Sequence, residues 1–363
     1  MTRLSRRQFA AGGLGLVFGG HNLARATAAS SDVEIVVRPG ERRQVIDGFG
    51  VSGAWWAQEI GGWDDPNRQR VIDLLFDQDR GIGLSLYRYN IGAGSGKEIP
   101  DPWRRTETFE VAPGVYDWSK DRNAVWVLKA ARDAGVERFV AFANSPPARM
   151  TKSGTVSGGL LGGSNLKSDM YPAFAKYLVD ITRHLRQADG IPIGWISPIN
   201  EPQWPWLQIQ GQEGCHYSVS ECVTMAEALA TAIGDSGLEV KMSLPESGEW
   251  KGSEVYLDAL LGSADLRPAI DGFAIHDYHS TPNDKATIAH YAAATYPETR
   301  LWMSEWTEMK KGRDTGMNSA LTMASVIIDD LTVANVTSWQ FWIAVSKYDY
   351  HDGLLYTDAG TQN

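Results

Sequence analysis

Eight short apolar runs alternate with amphipathic helical stretches along this chain, and no other feature of the sequence restricts the fold so tightly. The runs fall at 48–52, 84–89, 139–143, 195–199, 240–244, 272–275, 301–304 and 338–343. Helical patterns lie between them at 66–76, 124–134, 171–185, 219–233, 253–261, 285–294 and 321–331; in the third, Phe174, Leu178, Ile181 and Leu185 keep helical spacing. Strict alternation of this kind is the pattern of parallel βαβ units, which bury a parallel sheet under helices. An open doubly wound sheet and a closed (β/α)8 TIM barrel both satisfy it. No GxGxxG follows the first run, and no GxSxG elbow stands at a strand end. The glycine-rich loop at 92–97 has only three residues between Gly92 and Gly96, and Glu98 follows Lys97 where a phosphate loop needs Ser or Thr. The expected fold is therefore α/β, a (β/α)8 TIM barrel over residues 47–363.

Two more strands, at 33–37 and 43–46, precede the barrel. Residues 1–28 read as a twin-arginine signal peptide: Ser5-Arg6-Arg7-Gln8-Phe9, then an Ala/Gly/Leu-rich run too short to span a bilayer, then Ala26-Thr27-Ala28 as a small-x-small cleavage site. Its removal takes four arginines and moves the net charge from −10 to about −14. Such acidity argues against a nucleic-acid groove or an anionic membrane surface as partner. No later segment offers 18 uninterrupted apolar residues, so the expected product is secreted, without a membrane span, and monomeric. Cys215 and Cys222 lack CxxC spacing; after export they could pair or stay two buried thiols. His276-Asp277-Tyr278-His279 does not match the HExxH signature, and neither a metal nor a cofactor is expected. The 14 Trp suit the apolar faces of sugar rings, and equally a Trp-rich core.

In a (β/α)8 barrel the reacting groups gather at the C-terminal ends of the strands. Those ends carry Arg88-Tyr89-Asn90, Asn144-Ser145-Pro146-Pro147, Asn200-Glu201-Pro202, His276-Asp277-Tyr278-His279, Ser304-Glu305-Trp306 and Trp339-Gln340-Phe341-Trp342. Glu201 and Glu305 thus stand on two non-adjacent strands of one rim. Two carboxylates across a barrel mouth are what cleavage of a glycosidic bond requires: one protonated, to give its proton to the departing oxygen, and one ionised, to attack the anomeric carbon or position a water.

Asn200-Glu201-Pro202 and Glu305 resemble the acid/base and nucleophile strands of the retaining (β/α)8 glycoside hydrolases. Asp47-Gly48-Phe49-Gly50, Tyr87-Arg88-Tyr89-Asn90-Ile91-Gly92 and Asn144-Ser145-Pro146-Pro147 narrow the resemblance to glycoside hydrolase family 30. Trp55-Trp56-Ala57, Ser157-Gly158-Gly159, Asn165-Leu166-Lys167 and Gln212-Glu213-Gly214-Cys215 are similar to its endo-β-1,6-galactanase-like branch. The resemblance covers residues 33–358. It implies Glu201 as general acid/base and Glu305 as nucleophile, with their oxygens about 5–5.5 Å apart. It also implies Arg88 orienting Glu305, Asn200 bonding the sugar 2-hydroxyl, and His276 and Tyr278 near the nucleophile. Asn144 and Trp342 would floor a sugar subsite, and Trp55 and Trp56 would form a sugar platform, although neighbours in an extended segment face opposite ways.

The implied substrate is a β-linked polysaccharide or oligosaccharide. A β-1,6-glucanase, an exo-β-glycosidase of the glucosylceramidase type and a non-catalytic carbohydrate-binding barrel are the alternatives. Members of the family follow the eighth strand with a closing helix and a β-sandwich. Residues 344–363 are too few for both, so the barrel is expected to lack its last helix, and the strands at 33–46 to belong to a truncated sandwich.

Overall fold

The computed structural model describes residues 36–358, except Leu160, together with 360–362. The expected signal peptide and most of the expected 33–37 strand lie outside these residues. The chain divides into two units, Met1–Arg43 and Gln44–Asn363. Of the first, residues 36–43 are described: a turn closed by the Glu41 amide donating to the Arg38 carbonyl at 3.0 Å.

The second unit is the barrel. Its strands are β1 (Gly48–Ser52), β2 (Leu86–Asn90), β5 (Arg138–Phe142), β6 (Ile193–Ser197), β7 (Lys241–Ser247), β8 (Ile270–His276), β9 (Arg300–Trp306) and β10 (Ser338–Ser346), all paired in parallel in that order. Pairing of β1 with β10 closes the ring. The intervening β3 (Glu110–Ala112) and β4 (Val115–Tyr116) form a small antiparallel hairpin on the loop after β2. The helices are α1 (Trp56–Ile60), α2 (Asp65–Phe76), α3 (Arg122–Asp133), α4 (Tyr171–Gln187), α5 (Val219–Ser236), α6 (Glu254–Leu261), α7 (Pro282–Thr295) and α8 (Met317–Thr332). The eight barrel strands and seven helices expected thus form, with bounds shifted by up to four residues. The short α1, the hairpin and a last strand, β11 (Gly353–Tyr356), add to them.

Local chemistry explains several boundaries. Asp64 caps α2 through the Asn67 amide ahead of Pro66, and Ser218 and Glu221 close a reciprocal capping box on α5. Inside the barrel, Leu86, Val140 and Trp302 pack with Trp195 into a dry layer. Below it Asp47 accepts from Trp302 Nε1 (3.0 Å) and Thr337 Oγ1 (2.6 Å) and pairs with Arg300, latching the first, seventh and eighth barrel strands. The inward positions above this layer are polar, which is what the site requires.

The 43–46 strand does not form. The Gln44 side chain instead donates to the carbonyls of Leu331 and Val336 (2.8 and 3.2 Å), and Val45 and Ile46 are exposed with no ladder to join. Beyond β10, residues 347–358 contain no helix; they hold β11, which pairs in parallel with the end of β10.

Candidate active site

The strand ends raise a buried polar network at the barrel mouth. Arg88, fully buried on β2, donates through Nη1 to Glu305 Oε2 at 2.6 Å and through Nη2 to Asn200 Oδ1 at 2.9 Å. Its guanidinium also lies 3.6 Å from the centre of the Phe142 ring, so its plane is fixed from both sides. Tyr278 donates its hydroxyl to Glu305 Oε1 at 3.2 Å. Burial, then the carboxylates of Glu305 and Glu201, push that phenol well above its ordinary value, so it remains a donor.

His276 ends β8 with its ring completely enclosed. Nδ1 lies 3.1 Å from Glu201 Oε1 and 3.5 Å from Glu305 Oε1, while Nε2 lies 3.1 Å from Glu246 Oε2. Burial opposes its charge, but Glu305, Glu201 and Glu246 together raise its pKa to about 9, and the ring is an imidazolium at neutral pH. Burial pushes the Glu305 carboxyl up, with Glu201 adding to the rise, against the pull of His276 and Arg88. Carboxylate oxygens of Glu201 and Glu305 and a ring nitrogen of His276 all lie within 4.8 Å of one another. These donors converge closely enough to suggest a metal centre, but both ring nitrogens face acids and Arg88 already neutralises Glu305. The site is built for protons.

Glu201 sits just past β6 at φ 45°, and Glu246 near the end of β7 at φ 60°; the Glu201 amide donates to the Glu246 carbonyl at 2.8 Å. Left-handed conformations at non-glycine residues cost about 1–2 kcal/mol each, and the packed rim holds two side by side. Gly248 leaves room for the first of them, because a Cβ there would crowd Trp204 Nε1 and stand 3.0 Å from Glu201 Oε1.

Above the network opens a cleft of about 430 Å³, lined by Trp55, Asn144, Asn200, Glu201, Trp204, Trp206, Gln210, Gln212, Tyr278, His279, Glu305, Met309 and Trp342. Seven of the ten expected site residues face it. Arg88 and His276 lie beneath, touching the two acids. Trp56 is the correction: it is fully buried, donates to the Ser52 carbonyl at 2.8 Å and packs edge-on to Tyr87, because the chain turns after β1 and Trp56 opens the short helix α1 on its inner face. Trp55 alone turns to the cleft, at φ 70°, edge-on to Trp342 at 5.0 Å and covered by Arg104. Cys215 and Cys222 are buried free thiols.

Glu246 was not anticipated. The fifth apolar run ends at Leu244 by composition, whereas the strand continues to Ser247; an acid two residues beyond an apolar run at the catalytic end was the available signal.

The family described as O-Glycosyl hydrolase family 30 matches residues 32–356 of this chain. An endo-beta-1,6-galactanase of Hypocrea rufa is 26% identical over 369 residues, covering 92% of this chain and 73% of that protein. An exo-beta-1,6-galactobiohydrolase of Bifidobacterium longum is 25% identical over 56% of this chain, which spans 17% of that much longer protein. Among solved structures, a conserved exported protein from Bacteroides fragilis superposes with a TM-score of 0.77 at 30% identity, covering 86% of this chain and 72% of the other. Xylanase C of Talaromyces cellulolyticus shares the fold at TM-score 0.69 and 24% identity, over 89% and 74% of the two chains.

Proposed function

This chain belongs to O-glycosyl hydrolase family 30, and on that premise we propose that it is an exported, retaining endo-glycosidase acting on a β-1,6-linked galactan. The observation that carries the reading is the pair Glu201 and Glu305, whose oxygens approach within 4.8 Å. Inverting glycosidases keep their carboxyls roughly 6.5–9.5 Å apart to admit a water, whereas retaining ones bring them to about 5 Å. The asymmetry of support divides the roles. Glu305 receives two fixed donors, Arg88 and Tyr278, which favour the anion and aim it; Glu201 is met by His276 and opens to the cleft.

In the first step Glu305 forms a bond to the anomeric carbon while the glycosidic bond breaks and Glu201 gives its proton to the leaving oxygen. In the second, Glu201 takes a proton from water, the water oxygen attacks the same carbon, and Glu305 departs. Asn200, held by Arg88, and Asn144, which donates to Asn90 Oδ1 at 3.1 Å, face the sugar hydroxyls; Trp55 and Trp342 add aromatic surface to the cleft. The galactan assignment leans on the Hypocrea rufa relative and the motifs shared with that branch. Export leans on the twin-arginine motif, and no helix among the described residues is long and apolar enough to cross a membrane.

Product analysis on a panel of β-1,6- and β-1,3-linked polysaccharides tests the specificity, with release of β-1,6-galacto-oligosaccharides expected. NMR of the first product should show a retained anomer, and inversion would overturn the mechanism. Glu201→Gln should lose most activity on poor leaving groups and recover part of it on activated aryl glycosides; equal losses on both would contradict the roles.

A further inference from the structure

Glu246 belongs to neither member of the catalytic pair, yet it is completely buried beneath them. Every group that faces its carboxylate is a donor. Ser197 Oγ from β6 donates to Oε1 at 3.0 Å, and Ser304 Oγ from β9 donates to Oε2. His276 Nε2 from β8 lies 3.1 Å from Oε2, and Arg88 Nη2 from β2 lies 3.5 Å from it. Such a shell suits an anion only: Arg88 and His276 overcome burial and hold the carboxyl down at about 2.

The partner most affected is His276. A neutral imidazole has one donor and one acceptor nitrogen, whereas Glu246 stands at one nitrogen and Glu201 with Glu305 at the other. A protonated Glu201 can donate to Nδ1, but the Glu305 carboxylate 3.5 Å from the same nitrogen favours the doubly protonated ring. Arg88 and His276 then supply two positive charges against three carboxylates, and a single proton on the Glu201–Glu305 pair makes the cluster neutral. The balance survives the first chemical step: as the proton leaves with the departing sugar, Glu201 gains the charge that Glu305 loses in its bond to carbon. Without Glu246 an imidazolium would leave the same cluster with a net positive charge in both states, so His276 is the group that would give up its proton.

We propose that Glu246 is a positioning residue of the hydrolysis, a fixed third carboxylate that keeps His276 as an imidazolium and thereby leaves one proton for the catalytic pair. The inference rests on the roles given above to Glu201 and Glu305. Its central claim can be read without any sugar.

The test compares the parent chain with Glu246→Gln, which keeps the shape and removes the charge. Histidines are labelled with 15N, and the His276 resonance is identified by its loss in His276→Asn. In the parent, His276 should remain an imidazolium until about pH 9. In Glu246→Gln it should titrate lower by about one unit or more, and on β-1,6-galactan the alkaline limb of kcat/KM should move the same way. A fall in kcat of about tenfold or more with KM nearly unchanged is expected alongside. A parent His276 titrating near its ordinary value overturns the proposal. So does a folded Glu246→Gln whose imidazolium and pH profile stay in place. Should that variant fail to fold, Ser304→Ala, which removes one donor from Glu246, should shift both readouts in the same direction by less, and no shift would equally overturn it. Because the titration needs no substrate, a chain that ignores galactan defeats the proposed specificity and leaves this result standing.

Discussion

His276 and Asp277 are consecutive residues at the end of β8, and each anchors a buried cluster of charges. His276 turns into the barrel and joins Glu201, Glu246, Glu305 and Arg88 under the cleft. Asp277 turns outward, 2.6 Å from Lys285 of α7, which also lies 2.8 Å from Asp330 of α8; Asp330 in turn accepts from Trp339 Nε1 at 2.9 Å. Both clusters are enclosed, both hold one acid too many, and both contain shifted carboxyls. Only the inner one borders open space able to hold a substrate. Burial and perturbed ionisation therefore do not by themselves mark a catalytic site; the face of the strand decides.

The contrast predicts opposite responses to removing one charge from each cluster. Glu305→Gln should lower kcat/KM by about 10⁴-fold or more while costing little stability, since Glu201 and Glu246 still balance the buried charges of Arg88 and His276. Lys285→Met should do the reverse. It strands Asp277 and Asp330 together out of water, which costs about 3–5 kcal/mol, while kcat/KM of the folded fraction and its pH profile remain near the parent's. Urea unfolding beside steady-state kinetics on both variants checks the pair, and a Lys285→Met enzyme with a displaced pH profile would erase the distinction.

Trp55 and Trp56, at the start of α1, also face different surroundings, Trp55 the cleft and Trp56 the core. Trp56→Ala should cost about 3–5 kcal/mol of stability, as for any large aromatic deleted from a packed core. Trp55→Ala should cost substrate affinity first, on the order of tenfold, with a smaller loss of stability from its contacts with Trp342 and Arg104. Equal stability losses would mean that Trp55 is core as well.

The inward–outward alternation of the strands explains what could be read before the fold was known. Barrel strands buried on both faces are continuous apolar runs, so their number and order stood out, and so did the acids Glu201 and Glu305 directly at their ends. Side-chain direction did not stand out, because a run apolar on both faces carries no period of two. Trp56 was assigned to the wrong side because neither the left-handed turn at Trp55 nor the short α1 shows in the composition. Glu246 was hidden for a related reason: β7 continues past its apolar part through Pro245 to Ser247, and composition ends the strand too early. The Lys285–Asp277–Asp330 cluster joins three elements far apart in sequence, and no local pattern announces it.

The two clusters should also differ in how stability follows pH. Glu246 is lowered from its ordinary 4.5 to about 2, so its contribution is complete above 4.5 and is lost as pH falls toward 2. His276 is raised from 6.5 to about 9; its contribution is complete below 6.5 and is lost as pH rises through 9. Between 4.5 and 6.5 Glu246 and His276 are thus on a plateau, and the raised Glu305 is the inner group that still loses stability there. In the outer cluster both acids do. Burial and their mutual repulsion raise Asp277 from 3.8 to about 7, and burial raises Asp330 to about 6, so the stability each contributes is complete below 3.8 and drains away as pH rises through those values. Asp330→Asn removes the surplus acid and leaves Lys285 with Asp277 alone. The loss of stability between pH 4.5 and 7.5 should then be smaller than in the parent by about 2 kcal/mol, with the alkaline limb of kcat/KM unmoved. Urea unfolding at several pH values measures the slope, and a variant as pH-dependent as the parent would show that the surplus charge is borne elsewhere.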